Sequence, residues 1–439
     1  MEKELLLKYG GYGQTTIHPL IIGIVFAVAV LIFIVPRRYV IIPFILAVVL
    51  IPMYQEIVVA GINLFVLRIL LFVGWLRVLV RQEMRPIGWN RMDSIVTALA
   101  VSSIVTFTIM WGTWGAFVNR LGMAYDLIGS YFLIRCLLVD FTDVERVVRI
   151  LALISIPIAI LMLIEYLTGR NPLVFLGAPE IAGIREGRFR SQGPFANPIL
   201  AGTYGATVFP LAVSLWWAEG RRRKTLAVTS ALAATMIVWT SSSSGPVFTY
   251  LAAAAGLLMW RFRYYMRPVR WGILFALIGL HLVMKAPVWA LIGRLQAFGT
   301  SMSYHRYVLI DQFINRFNEW WLIGTKFTSD WAFGMWDITN QYILFGINGG
   351  LVTLLLFVFL IAASFQAVGR AVRHTAHISL SQKLLWAIGV ALFAHTIAFI
   401  GISYFDQILL IWYILIGMVS LISNLDFSMH SAAYEAVVR

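Results

Sequence analysis

Residues 147–167 read VVRILALISIPIAILMLIEYL, an apolar run with Arg149 near its start and Glu165 near its end. An α-helix rises about 1.5 Å per residue, so about 20 such residues cross the roughly 30 Å hydrocarbon core of a bilayer. The pattern recurs at about 17–35, 39–54, 57–80, 94–111, 120–139, 197–217, 225–243, 246–260, 271–285, 341–365, 384–402 and 408–424. That makes thirteen candidate spans, or twelve if the chain before residue 80 holds one fewer. Of the 439 residues, 60% are hydrophobic and 12% charged, whereas a soluble domain is nearer half apolar and a quarter charged. The fold expected is an all-α polytopic membrane protein of about 12–13 transmembrane helices, with 1–439 as a single transmembrane domain and two long extracytoplasmic loops. Glu2 and Glu4 offset Lys3 and Lys8, and Ile17–Val35 is too long for a signal core, so the first run reads as a span rather than a cleaved signal.

The net charge of +14 fits basic cytoplasmic loops better than nucleic acid. Basic residues fall in alternate connections: Arg37 and Arg38; Arg81, Arg85 and Arg91; Arg146 and Arg149; Arg221–Lys224; Arg261–Arg270; and Arg370, Arg373 and Lys383. These loops share one side, and the positive-inside rule makes it the cytoplasm. The two long connections, 168–196 and 286–340, fall on the opposite side. Cys136 is the single cysteine, so no intrachain disulfide forms. No Cys/His cluster has metal-site spacing, and His374 and His377 read as solvated loop residues.

The most informative stretch is Gly187–Phe209, GRFRSQGPFANPILAGTYGATVF. Asn197-Pro198 is a helix start, with Asn as cap and Pro at the first helical position. Arg185, Arg188 and Arg190 lie upstream, and a helix N-terminus beside guanidinium groups is suited to an anion. Two more helix starts, at Ser244-Gly245-Pro246 and near Asp337–Asn340, face the same side. In Ser301–Asn318, SMSYHRYVLIDQFINRFN, the spacing of Tyr307, Ile310, Ile314 and Phe317 predicts an amphipathic helix near the outer membrane surface, with His305 and Arg306 at its start. Arg68 sits mid-span on this reading, where an arginine is costly and a functional candidate. Arg77, Arg135, Asp126 and Glu165 sit near span ends, where snorkelling accounts for them. His281 and His395 read as hydrogen-bonded core residues. Trp320, Trp321, Trp331 and Trp336 fit an interfacial belt or sugar-stacking faces. Ser241–Ser244 lacks the glycine and strand context of a nucleophile elbow.

These residues carry a resemblance over about 185–360 to the O-antigen ligase and polysaccharide polymerase superfamily of membrane glycosyltransferases. Arg188–Tyr204 is similar to that family's arginine, Gly-Pro/Thr-Phe step and Asn-Pro-rich helix start. Tyr304–Asp311 is similar to its arginine segment, and Tyr342–Leu351, YILFGINGGL, to the segment closing its long loop. The resemblance implies a polyprenyl-diphosphate-linked glycan donor, usually undecaprenyl-diphosphate-linked, and transfer on the outer face of the bacterial cytoplasmic membrane without cofactor or metal. It implies that Arg190 (or Arg188) and Arg306 contact the diphosphate, with Asn197 and Asn340 also on the substrate side. Where ligases carry a His-Asn pair this chain has Thr339-Asn340, and a threonine is no base near neutral pH. Asp337, Asp330 and His305 are the candidate replacements. The arginine that often follows span eight is also absent, the chain reading Ser243-Ser244-Gly245.

The expected function is polymerisation of lipid-diphosphate-linked oligosaccharide units into exopolysaccharide or an O-antigen-like polymer. The expected partners are the lipid-linked glycan, a glycan acceptor, the bilayer and other polysaccharide-assembly proteins, with no nucleic acid. Two readings stand beside it. A ligase would move a finished glycan to a lipid or protein acceptor. A transporter or flippase for lipid-linked glycan would favour repeated halves with ionisable groups at mid-membrane, and no repeat is visible.

Overall fold

The structure, a computed structural model, describes residues 15–52, 55–59, 62–84, 88–218, 220–294, 302–375 and 379–425. The charged residues at 2–8, Arg85, His377 and positions 295–301 of the second long connection lie outside the described residues. In chain order the helices are α1 (Pro19–Ile34), α2 (Ile41–Leu50), α3 (Val66–Val80), α4 (Arg91–Trp111), α5 (Trp114–Ala124), α6 (Ser130–Leu137), α7 (Phe141–Thr168), α8 (Pro198–Ser214), α9 (Arg221–Thr240), α10 (Ser244–Leu258), α11 (Met266–Val283), α12 (Ala290–Arg294), α13 (Met302–Asn315), α14 (Phe317–Trp320), α15 (Gln341–His374), α16 (Ser379–Gly401) and α17 (Asp406–Asn424). Among the described residues, sheet is confined to two antiparallel hairpins, β1–β2 (Glu56–Val59 with Ile62–Phe65) and β3–β4 (Gly183–Arg185 with Arg188–Arg190). Seven helical segments are long and apolar enough to cross a membrane, the run Ser244–Val283 counting as one. The molecule is an all-α, multi-pass membrane protein.

The early part of the chain departs from the expected spans. The stretch 39–54 yields only the ten-residue α2, about 15 Å long. The stretch 57–80 begins as the hairpin β1–β2, and only α3 is helical. Arg68 is therefore not mid-span. It lies in the first turn of α3 and holds Asp126 at 2.8 Å. A π-helical turn, Tyr125–Gly129, joins α5 to α6.

Helix α8 is the centre of the bundle and is buried on nearly every side. It is apolar all round, as a fully enclosed helix is, and small residues let neighbours approach closely. A Cβ on Gly202 would lie 2.5 Å from Ser241 Oγ, and one on Gly205 would lie 2.7 Å from the Ala234 carbonyl. Helices α7, α9, α10, α16 and α17 surround it.

The basic ends of the helices touch one another. Arg37 donates to the Cys136 carbonyl, and Arg146 to the Arg38 carbonyl at 2.7 Å. Lys383 lies over the Trp217 ring, and Gln382 bonds the Val372 carbonyl. The expectation that Arg77 and Arg135 snorkel to the membrane surface does not hold. Both are buried, Arg77 paired with Glu83 at 2.6 Å and Arg135 with Asp93.

Candidate functional site

At the opposite end of the bundle, Arg190 and Arg306 both reach the N-terminus of α10. The hairpin β3–β4 turns through Glu186-Gly187, both at positive φ, which suits a two-residue loop between antiparallel strands. Its register pairs Arg185 with Arg188 and Gly183 with Arg190. Side chains alternate across a strand, so Arg185, Arg188 and Arg190 share one face. Phe189 points the other way and packs on Gly169, where a Cβ would come within 2.7 Å of its ring. The outgoing strand is pinned to the end of α9, with Ser242 Oγ donating to the Phe189 carbonyl at 3.0 Å and Ser191 N–H to the Thr240 carbonyl at 3.1 Å.

That anchoring delivers Arg190 to Ser243, the residue preceding α10, whose Oγ accepts from Arg190 Nη2 at 2.8 Å. Ser243 itself donates to the Ser241 carbonyl and makes no side-chain cap. The first N–H groups of α10 thus lack the side-chain acceptor that a helix start normally has.

Arg306 reaches the same helix end from α13. The guanidinium lies beside Gly245, close enough that a Cβ there would be 3.5 Å from Nη2, and it donates to the Gly401 carbonyl at 3.2 Å. Arg306 is 8% exposed, and the Nε of both Arg190 and Arg306 is buried without a partner. Neither pairs with a carboxylate among the described residues. Burial lowers the affinity of both guanidinium groups for their protons, and the neighbouring Arg185 charge lowers it further. Both still remain cations at neutral pH.

Asn197 caps α8 through Ile199 N–H at 2.8 Å, and α8 packs beside α10 at that end. Asn340 caps α15 through Ile343 N–H, and its Nδ2 donates to the Ile400 carbonyl at 3.2 Å, one residue from the carbonyl that Arg306 holds. Thr339, next to it, is buried with an unpartnered hydroxyl. Arg188 is exposed on the hairpin. His305 Nε2 lies 3.1 Å from the Asp337 carbonyl, and the Asp337 side chain is exposed. Asp330 stands elsewhere, 3.4 Å from Arg316.

Helix α13 forms over the expected stretch, but its buried stripe is Arg306, Leu309 and Phe313, and the stripe through Ile314 and Phe317 stays exposed. Trp320 and Trp331 are core residues, while Trp321 and Trp336 are exposed. Glu165 does not snorkel. It is buried and accepts from the Gln192 and Gly193 N–H groups at 3.2 and 2.8 Å, which fixes the exit of the arginine hairpin. His395 is buried against Tyr404 Oη at 2.8 Å, as expected of a core histidine. His281 is not a core residue, for its ring lies at an exposed site and stacks on Trp289.

One residue of this end escapes sequence reasoning. Asp406 begins α17 with φ +60°, a conformation strained for a non-glycine residue. Its carboxylate makes no hydrogen bond or ion pair among the described residues. The segment carrying it touches Arg306 at Gly401, Gln341 at Tyr404 N–H (2.5 Å) and the hairpin exit at Pro194, whose carbonyl accepts from Gln407 at 2.8 Å. In sequence, Asp406 reads as an ordinary acidic residue in a first helical turn. No protein-family model matches the chain, and no curated protein matches it either.

Proposed function

We propose that the protein is a membrane glycosyltransferase that polymerises lipid-diphosphate-linked oligosaccharide units. In this reading the chain crosses the bacterial cytoplasmic membrane about twelve times, with 168–196 and 286–340 outside. The observation that carries the proposal is the pair Arg306, buried, and Arg190, half-buried, two cations without carboxylate partners among the described residues that bracket an uncapped helix N-terminus. Such a site attracts an anion, and planar guanidinium groups grip two phosphate oxygens at once. An anionic group with a long apolar tail suits a site at the end of a helix bundle in lipid.

The acceptor hydroxyl oxygen attacks the anomeric carbon of the donor. The bond from that carbon to the diphosphate oxygen breaks, and the polyprenyl diphosphate leaves with the electron pair. Arg190, Arg306 and the α10 N–H groups stabilise the charge growing on it. The acceptor proton passes to a carboxylate. We assign that role to Asp406, because it is unpaired and lies on the segment that links the Arg306 side to the hairpin exit. His305 and Asp337 are the remaining candidates, and the pairing of Asp330 with Arg316 disfavours it as a base.

The test is transfer from a lipid-linked oligosaccharide donor by purified, expression-matched variants. Arg190→Ala and Arg306→Ala should each lower the rate about 100- to 1000-fold, equivalent to roughly 3–4 kcal/mol, with lysine rescuing poorly. Asp406→Asn should abolish turnover while donor still binds. Near-wild-type polymer from both alanine variants would remove the proposed site.

A further inference from the structure

A concavity lies at the other end of α13, and its chemistry differs from that of the arginine site. It is an open cleft of 660 Å³ between the end of α4 and the segment 319–330, lined by Met110, Glu319, Thr325, Lys326, Phe327 and Asp330 among others. Resting on the glycosyltransferase reading, we propose that this cleft binds the acceptor glycan as a hydroxyl-rich oligosaccharide that carries no phosphate. A sugar presents hydroxyl rims and C–H faces, so its site needs mixed donors and acceptors beside an aromatic face. Phe327 is 51% exposed and is held edge-on by Trp111 at 5.9 Å. Arg316 orients both carboxylates, Glu319 at 3.2 Å and Asp330 at 3.4 Å, and leaves each with acceptor capacity. The Lys326 ammonium stands over the Trp111 ring and supplies donors.

The cleft is built rather than incidental. Helix α15 is broken at Gly350, with φ +70° and ψ −174°. The break frees the Leu351 N–H and the Ile347 carbonyl. The cleft segment takes both, Leu351 N–H donating to the Trp321 carbonyl at 2.7 Å and Thr325 N–H to the Ile347 carbonyl at 2.9 Å. Gly350 and Gly324, both at positive φ, make the approach possible. A Cβ on Gly350 would lie 2.5 Å from the Leu322 carbonyl, and one on Gly324 would strike the Ile347 carbonyl. The floor of the cleft is thus clamped to an apolar helix of the bundle. Arg316 follows Arg306 by ten residues, about 15 Å along a helix, so an oligosaccharide rather than a single sugar bridges the two sites.

The probe for the test is the repeat-unit oligosaccharide, released from its lipid by mild acid and offered to the full chain in nanodiscs under saturation-transfer NMR. Wild type should bind it. The exposed-site variants Phe327→Ala and Asp330→Ala should bind at least tenfold more weakly. In the transfer assay Phe327→Ala should shift the product to shorter chains. Failure of wild type to bind, or binding as tight as wild type by both cleft variants, would overturn the cleft while leaving the transferase reading intact. Binding lost in the cleft variants, with no transfer from any lipid-linked donor, would uphold a glycan site and overturn the transferase.

Discussion

Arg135 and Arg306 are both buried arginines at the ends of the helix bundle, and among the described residues only Arg135 has a counter-ion. Arg135 holds Asp93 and donates to the Gly88 carbonyl, and Asp93 also accepts from Tyr131. Arg77, at that same end, is bound by Glu83 and by the Ile32 and Val35 carbonyls. Arg306 has one backbone carbonyl, Arg190 one serine, and each leaves a buried N–H unused. An uncompensated buried charge costs several kcal/mol. The chain neutralises that cost internally where basic loops gather and leaves it standing where the long connections gather. On the proposed reading the difference separates a clamp from a binding site: the first is complete in the protein alone, and the second would be completed by an anion.

The comparison breaks most readily at the paired end. Asp93→Ala should strand Arg135 and lower stability by about 3–5 kcal/mol, seen as lost folded protein or a lower thermal midpoint in detergent. An unchanged midpoint would mean that the pair is no clamp. At the other end, Ser243→Asp should act in the opposite sense. It places a carboxylate beside Arg190 and at the uncapped start of α10, so stability should rise by about 1 kcal/mol while transfer is lost, because the anion site is already filled. The smallest effect belongs to Arg306→Met, which lifts the cost of the unpaired buried charge but loses the bond to the Gly401 carbonyl and some packing. Stability should rise by less than about 1 kcal/mol, even as transfer falls. A large loss of stability there would mean that Arg306 is a structural clamp like Arg135.

The paired end and the unpaired end were not equally legible in the sequence. Asn197-Pro198 and Asn340 announce their helices because capping is local chemistry, and both caps form. Arg190 and Arg306 could be singled out, but their meeting at α10 depends on a hairpin register and on the packing of α13, which no local pattern encodes. The partners of Arg77 and Arg135 were hidden for a similar reason. Glu83 is close in sequence but turned back by the chain, and Asp93 is on another helix. The run 57–80 reads as one span because hydropathy does not separate a strand from a helix, although Ile57, Val58 and Val59 are β-branched. The break at Gly350 is marked in sequence only by Asn348-Gly349-Gly350 inside a run long enough to read as one span, and the strain at Asp406 is visible only in the backbone.

The central claim is that Arg190 and Arg306 together hold a diphosphate. Thermal unfolding of the purified protein with added undecaprenyl diphosphate, against undecaprenyl monophosphate, tests it without reference to catalysis. The diphosphate should stabilise wild type by about 2.7 kcal/mol at a hundred times its Kd, with the monophosphate weaker at equal concentration and no response from Arg190→Ala or Arg306→Ala. Equal stabilisation by the two lipids, or an undiminished response in both variants, would contradict the account.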